Sequence, residues 1–393
     1  MARFFRGSLI LLLAMGLSAC SLFSSDEEEV HGPKPLQPIE QQVQLKKVWS
    51  KSVGTGGGRF EKLTPVVSEG VVYAAGAEGN VSALARDTGK VLWSRKLEGV
   101  RVGAGVSLGA DQLFLGTLDG EVVALNKSDG SDLWKARVDS EILNNPVSDG
   151  AYVAIHSIDD RLTVLNARTG ELVWRQASLQ PALTLRGASD PVIVRDAVFV
   201  GLASGEVKGF RLENGAPLWS SRVSVPKGST ELERMVDIKG TPLVSGDTIY
   251  LSSFQGNVAA LDMYSGRHRW NKEISSYKSM AEGFGALYLT DEKSYVTSVD
   301  QRTGASNWRQ EKLEYRHLSA PAVFNNYILA GDLEGYLHIL SQVDGSQAGR
   351  FKAGSAAIST APVVNGDMIF VMNSVGELMA LRQKYTPLAE LDD

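Results

Sequence analysis

One sequence unit occurs eight times in this chain, and no other feature restricts the fold as strongly. A small residue leads each copy, at Gly79, Gly120, Asp160, Gly205, Gly256, Ser294, Gly335 and Gly376. The positions two and five residues later are apolar in every copy: Val81 and Leu84 in the first, Leu378 and Leu381 in the last. Ten residues after each of the first seven markers stands a glycine: Gly89, Gly130, Gly170, Gly215, Gly266, Gly304 and Gly345. Self-similarity with a period of about 40 residues is the signature of a stacked or ring-shaped repeat fold. The length of 393 residues is therefore no guide to the number of domains.

Within the first unit, strand-like runs cover 64–67, 71–75, 81–85 and 91–97. The turns between them contain glycine, which supplies positive φ at no steric cost. The middle runs are apolar on both faces, as expected of strands covered from both sides. No stretch has helical periodicity. The expected fold is all-β: an eight-bladed β-propeller of four-stranded antiparallel blades. Four residues past the turn glycine come Trp93, Trp134, Trp174, Trp219, Trp270 and Trp308, but the seventh unit has Gly349 there. The eighth unit ends without a fourth strand, and the seventh tryptophan, Trp49, lies in a strand-like run at 45–51 that lacks partners. That N-terminal strand should complete the last blade and close the ring, leaving only short edges unpaired. Tryptophans spread around a ring cannot converge on one ligand. They read as packing between blades, each burying roughly 150–250 Å².

Ahead of the propeller, expected to span 45–383, the chain changes character. Residues 1–19 read as a signal peptide: Arg3 and Arg6 precede an apolar run at 9–17 that is too short to span a bilayer. The run ends in Leu17-Ser18-Ala19-Cys20, which resembles the bacterial lipobox, and Cys20 is the only cysteine. The resemblance implies lipidation of Cys20, and Ser21 after it implies the outer membrane. Several acyl chains anchor a protein stably where one does not. Losing the signal removes two arginines and moves the formal net charge from −5 to −7, which argues against nucleic acid as a partner. Residues 20–44 are acidic and proline-spaced and read as a flexible tether. Residues 384–393 read as a polar tail.

Chemistry is hard to find. With one cysteine there is no internal disulfide and no cysteine-based metal site. The five histidines lack metal-ligand spacing. Gly105-Val106-Ser107-Leu108-Gly109 matches a nucleophile-elbow pattern but has no strand-to-helix turn around it. The glycines at 54–58 lack the lysine and hydroxyl of a phosphate loop and read as a flexible link into the first blade. The run at 83–93, Ala-Leu-Ala-Arg-Asp-Thr-Gly-Lys-Val-Leu-Trp, resembles the repeat of quinoprotein (PQQ-type) propellers. Asp262 and Asp300 keep the motif's aspartate, whereas Ala85, Asn126, Asn166 and Arg211 depart from it. Quinoprotein dehydrogenases also carry a vicinal cysteine pair and calcium ligands, which this chain does not supply. No enzyme and no cofactor is expected.

Two links between blades are longer than the rest. Trp174 to Pro191 spans 17 residues and Trp219 to Pro242 spans 23, against 12 or 13 at three other links. Links of this type emerge on one face of a propeller, and these two are neighbours. Leu183 and Leu185 beside Arg186 suit a partner contact, with apolar anchors and a cation able to bind a carboxylate twice. The same leucines could instead fold back over the blade edge. The lipobox, the acidic tether, the eight blades and the Leu-Thr-Leu-Arg and Glu-Arg-Met-Val-Asp loops together resemble the BamB family, lipoproteins of the outer-membrane β-barrel assembly (BAM) machinery. The resemblance implies a scaffold facing the periplasm that binds the POTRA domains of BamA. The matching interface residues are Leu183, Leu185, Arg186 and Asp237, with Lys239 where the family has a second acid. Nascent outer-membrane barrel proteins are a further candidate partner, by pairing with the outermost strands, although Lys135, Arg175, Lys272 and Arg309 on those strands look more like protection against edge pairing. A quinone-dependent oxidoreductase and a sugar-binding propeller are the alternative readings.

Overall fold

The structure is a computed structural model that describes residues 32–58 and 61–384. The expected signal peptide, Cys20 and the tail from residue 385 lie outside the described residues. Among the described residues there are eight four-stranded antiparallel sheets and no helix, and they form the eight blades of a propeller. Seven blades are built from four consecutive strands each. The eighth takes three strands from the C-terminal end and its outermost strand, Leu45–Ser52, from the N-terminal end. That strand pairs with Glu377–Gln383, from Leu45 opposite Gln383 to Ser52 opposite Glu377, so the ring closes as the unpaired Trp49 run required.

The repeat motif explains how the blades join. Each tryptophan reaches across to the turn of the next blade and donates its indole N–H to a backbone carbonyl there. Trp49 donates to Arg86 at 2.8 Å, Trp174 to Leu212 at 2.7 Å and Trp308 to Gln342 at 3.0 Å. The indole ring lies flat on the turn glycine. At Gly89 the backbone has φ +65°, and a Cβ would stand 2.6 Å from the Trp49 ring, so the position excludes any side chain twice over. The motif aspartate serves the same turn: Asp262 Oδ1 accepts from the Ser265 N–H at 2.9 Å and the Ser265 hydroxyl at 2.8 Å. Asn166 accepts the equivalent N–H of Thr169 at 3.1 Å, and Asn126 accepts the N–H of Ser128, one residue earlier in the turn, at 2.9 Å, so those departures from the motif keep an acceptor for the turn. Ala85 and Arg211 have no acceptor to offer.

The core lies between blades. One cluster joins Phe370 of the eighth blade, Tyr73 of the first and Leu113 of the second; another joins Val164 of the third with Val198 and Phe210 of the fourth. Two expectations need correcting. The tether does not hang free as far as residue 44: the N–H of Lys34 donates to Glu314 O, and Val43 is buried against the seventh blade. The glycines at 54–58 are not a slack link either. A Cβ on Gly56 would stand 2.2 Å from Ser374 O, so the glycine is there to let two backbones meet.

Candidate partner-binding surface

The link after the third blade runs from the end of Leu172–Ala177 to Val192–Val194, and the next from the end of Pro217–Arg222 to Leu243–Ser245. Both lie on the face that also carries the turns between second and third strands. The first link is pinned at its start, where the Ser178 N–H donates to Asp160 O at 3.1 Å and Gln180 Nε2 to Ile158 O at 2.8 Å. The second folds on itself. The Glu233 carboxylate accepts the N–H groups of Ser229 and Thr230 at 2.7 and 3.1 Å, while Thr230 Oγ1 accepts the Glu233 N–H at 3.2 Å. This reciprocal pairing is the same device that closes helix N-termini.

Asp237 joins the two links. Its Oδ1 accepts the Leu185 N–H at 3.0 Å and pairs with Lys239 Nζ at 3.4 Å, and Lys239 also donates to Gly187 O. Asp237 is completely buried and Lys239 nearly so. Burial pushes the Asp237 carboxyl above its ordinary range against the pull of Lys239, and burial likewise pushes the Lys239 ammonium down. Each charge tolerates this site only because the other is beside it. Asp237 thus cannot touch a partner; it sets the position of Leu185. Lys239 stands where a second acid was anticipated and supplies the counter-ion to the first.

Above this pair, Leu183 is 41% exposed, Leu185 is half-buried and Arg186 is exposed, its guanidinium held by Glu141 at 2.6 Å. Below it, Asp190 ties the inner ends of several links together. Its carboxylate accepts from Asn144 Nδ2 at 3.0 Å, the Asn145 N–H at 3.1 Å and Thr241 Oγ1 at 2.9 Å, and pairs with Lys62 at 3.3 Å. Burial alone would raise the Asp190 carboxyl, but Lys62 and these donors together hold it below the usual carboxylate range. Leu183 does not fold back to cap the blade but faces solvent, whereas Leu185 is partly covered; Leu179, Val225 and Leu232 on the same links are more exposed still.

Sequence reasoning missed Glu141, Asp190 and the exposed apolar trio. Asp190 had one signal, an acid directly before the proline that opens a blade; Glu141 had none. The other candidates are structural. Ser107 is buried in the strand Val102–Leu108, with no helix after it. His156 bonds Ser189 O at 2.9 Å beneath the first link. Among the described residues, no group of three or more His, Cys, Asp or Glu side chains could hold a metal ion. Exposed leucines beside an arginine are suited to contact with another protein.

The fold is that of an eight-bladed propeller built from quinoprotein-type repeats, with two irregular links side by side on one face. Comparison with known proteins agrees with the fold and places it in a family. A family profile described as outer membrane protein assembly factor BamB matches residues 46–104, 77–310 and 292–385. The outer membrane protein assembly factor BamB of Pseudomonas aeruginosa is 42% identical over 370 residues, covering 94% of this chain and 97% of that protein. The crystal structure of BamB from Moraxella catarrhalis superimposes with a TM-score of 0.79 at 25% identity, over 86% of this chain and all of that one. A europium-containing methanol dehydrogenase shares the fold alone, with a TM-score of 0.71 at 14% identity over 86% and 93% of the two chains. The chain belongs to the BamB family.

Proposed function

We propose that this chain is a non-catalytic scaffold of outer-membrane protein assembly. It is anchored in the outer membrane through a lipid on Cys20, faces the periplasm, and docks on the POTRA domains of BamA through Leu183, Leu185 and Arg186. The observation that supports this reading is the buried Asp237–Lys239 pair, which ties the second link to the backbone of Leu185 and Gly187 in the first, two residues from the exposed Leu183. A surface fixed before binding loses little conformational entropy when a partner arrives, so apolar anchors on it are used efficiently. Arg186 lies at the surface and can exchange Glu141 for a carboxylate of the partner.

The test is co-purification with BamA from detergent-solubilised envelope. Leu183→Ala combined with Arg186→Ala should abolish it while the circular dichroism spectrum and melting temperature stay unchanged, because both side chains are exposed. Undiminished co-purification would move the docking surface elsewhere.

A further inference from the structure

The seventh blade carries an extra layer. Residues 34–44 cross its outer edge from one face of the ring to the other. At the upper end, the N–H groups of Gln42 and Val43 donate to Ala348 O at 2.8 and 3.0 Å. Val43 is buried there, in the space opened by Gly349, where a Cβ would meet Val43 O at 2.3 Å. Midway, Arg350 donates to Gln37 O at 3.3 Å, and Leu36 packs on the cluster that contains Tyr288, Leu313 and Ile328. At the lower end the Lys34 N–H donates to Glu314 O at 2.9 Å, and Arg316 Nη1 donates to Lys34 O at 3.0 Å.

Arg316 is the notable partner. It is only 2% exposed and is among the largest fully buried side chains. Its guanidinium is held by Asp332 at 2.8 Å and by Glu334, leaving one edge aimed at the incoming backbone carbonyl. A buried arginine with two carboxylates is costly unless every N–H is used, and the Lys34 carbonyl uses one of them.

We propose that 34–44 is a strap that makes the N-terminal end of the chain leave the propeller on the face of the blade-to-blade links, the same face as Leu183 and Arg186. Glu314 and Arg316 belong to the link between the sixth and seventh blades, so the exit point lies on that face. A lipid anchor and a docking partner would then meet the propeller from one side. The strap also shortens the leash. Position 33 is thirteen steps along the chain from Cys20, a reach of at most about 45 Å, whereas a free chain from position 44 would reach about 80 Å. This inference rests on the proposed lipid anchor for its consequence, but not for the strap itself.

Two measurements keep those apart. Amide hydrogen exchange on the soluble propeller tests the strap: the amides of Lys34, Gln42 and Val43 should be protected. Gly349→Trp, which fills the Val43 site, and Arg316→Met, which opens the lower clamp, should each speed exchange across 34–43 about tenfold or more. Unprotected amides in the unaltered protein would end the proposal. Lipidated full-length protein on vesicles tests the orientation, with a fluorophore on Lys227→Cys, on the link face, or on Lys90→Cys, on the opposite face. The Lys227 label should be quenched more strongly by headgroup-attached quenchers, and Gly349→Trp should narrow the difference. Equal quenching on membrane-bound protein would overturn the shared-face inference. Failure to bind vesicles at all would overturn the lipid anchor, with the exchange result still standing.

Discussion

The contact between tryptophan and turn glycine can be weighed by comparing two glycines of one blade. Gly70 and Gly89 both sit in hairpin turns of the first blade, at φ +76° and +65°. Placing an alanine at either position forces an L side chain into the left-handed region, at about 1–2 kcal/mol. At Gly70 that is the whole cost, because no atom lies within 4 Å of the new methyl group. At Gly89 the methyl would stand 2.6 and 2.8 Å from two ring atoms of Trp49. The indole has little room to withdraw, since its N–H is bonded to Arg86 O and its other side meets Phe370, with ring centres 5.9 Å apart. Such overpacking adds about 1–3 kcal/mol. Gly89→Ala should therefore cost about 2–5 kcal/mol against about 1–2 for Gly70→Ala. Urea unfolding followed by tryptophan fluorescence measures both. The decisive background is Trp49→Ala: with the ring gone, the two glycine substitutions should cost the same. If Gly89→Ala remains the more costly there, the ring is not what excludes a side chain, and the account of blade joining fails.

Two further outcomes follow from buried charges. Asp237→Ala strands the Lys239 ammonium and the Leu185 N–H in the interior and should cost about 3–5 kcal/mol, while Asp237→Asn with Lys239→Met should cost much less; thermal melts distinguish them. Stability should also fall on acidification through the seventh blade. Burial holds His338 below its ordinary pKa of 6.5. Burial would by itself raise Asp332, but bonds from His338, Tyr336 and Arg316 outweigh it and leave the carboxyl below its ordinary value. Both folded-state pKa values lie below the unfolded ones, so the native state binds fewer protons, and stability is lost as pH falls below about 6.5 and on through the carboxylate range. The other charges facing this pair are Arg316, Arg350 and Glu334. Melting temperatures between pH 7.5 and 4 should drop less steeply for His338→Gln than for the unaltered protein.

The blade number, the strand order and the ring closure were legible in the sequence because each depends on local patterning that recurs. The proposed docking face was legible only in part. Leu183 and Arg186 could be picked out because they break the repeat, yet nothing in the order of residues shows that Asp237 lies beneath Leu185 and not beside it. That arrangement depends on a bond between positions 52 residues apart. Asp190 is likewise defined by partners 45 to 128 residues away. The strap was misread as tether for a related reason. Its composition is that of an unfolded segment, and what orders it is a buried arginine some 280 residues later that binds a backbone carbonyl, which no side-chain pattern reveals.

The irregularities of the seventh and eighth blades have one origin. A tryptophan at the outer position of one blade needs the turn glycine of the next blade as its platform. The eighth blade has no such turn, because its outermost strand arrives from the N-terminal end and is not joined to its third strand. With no platform, a tryptophan in the seventh blade would have nothing to stack on, and the position holds Gly349. The missing turn is also the gap through which the incoming chain must pass to reach Leu45. Glycine at 349 lets Val43 close that gap with its backbone, 2.3 Å from where a Cβ would be. The absent tryptophan, the absent turn and the strap across the seventh blade are thus consequences of closing the ring with the N-terminal strand. A propeller with this repeat that closed its ring within a single continuous blade would keep the tryptophan and the turn glycine in every blade, and would have no comparable route to fix where its N-terminal segment leaves.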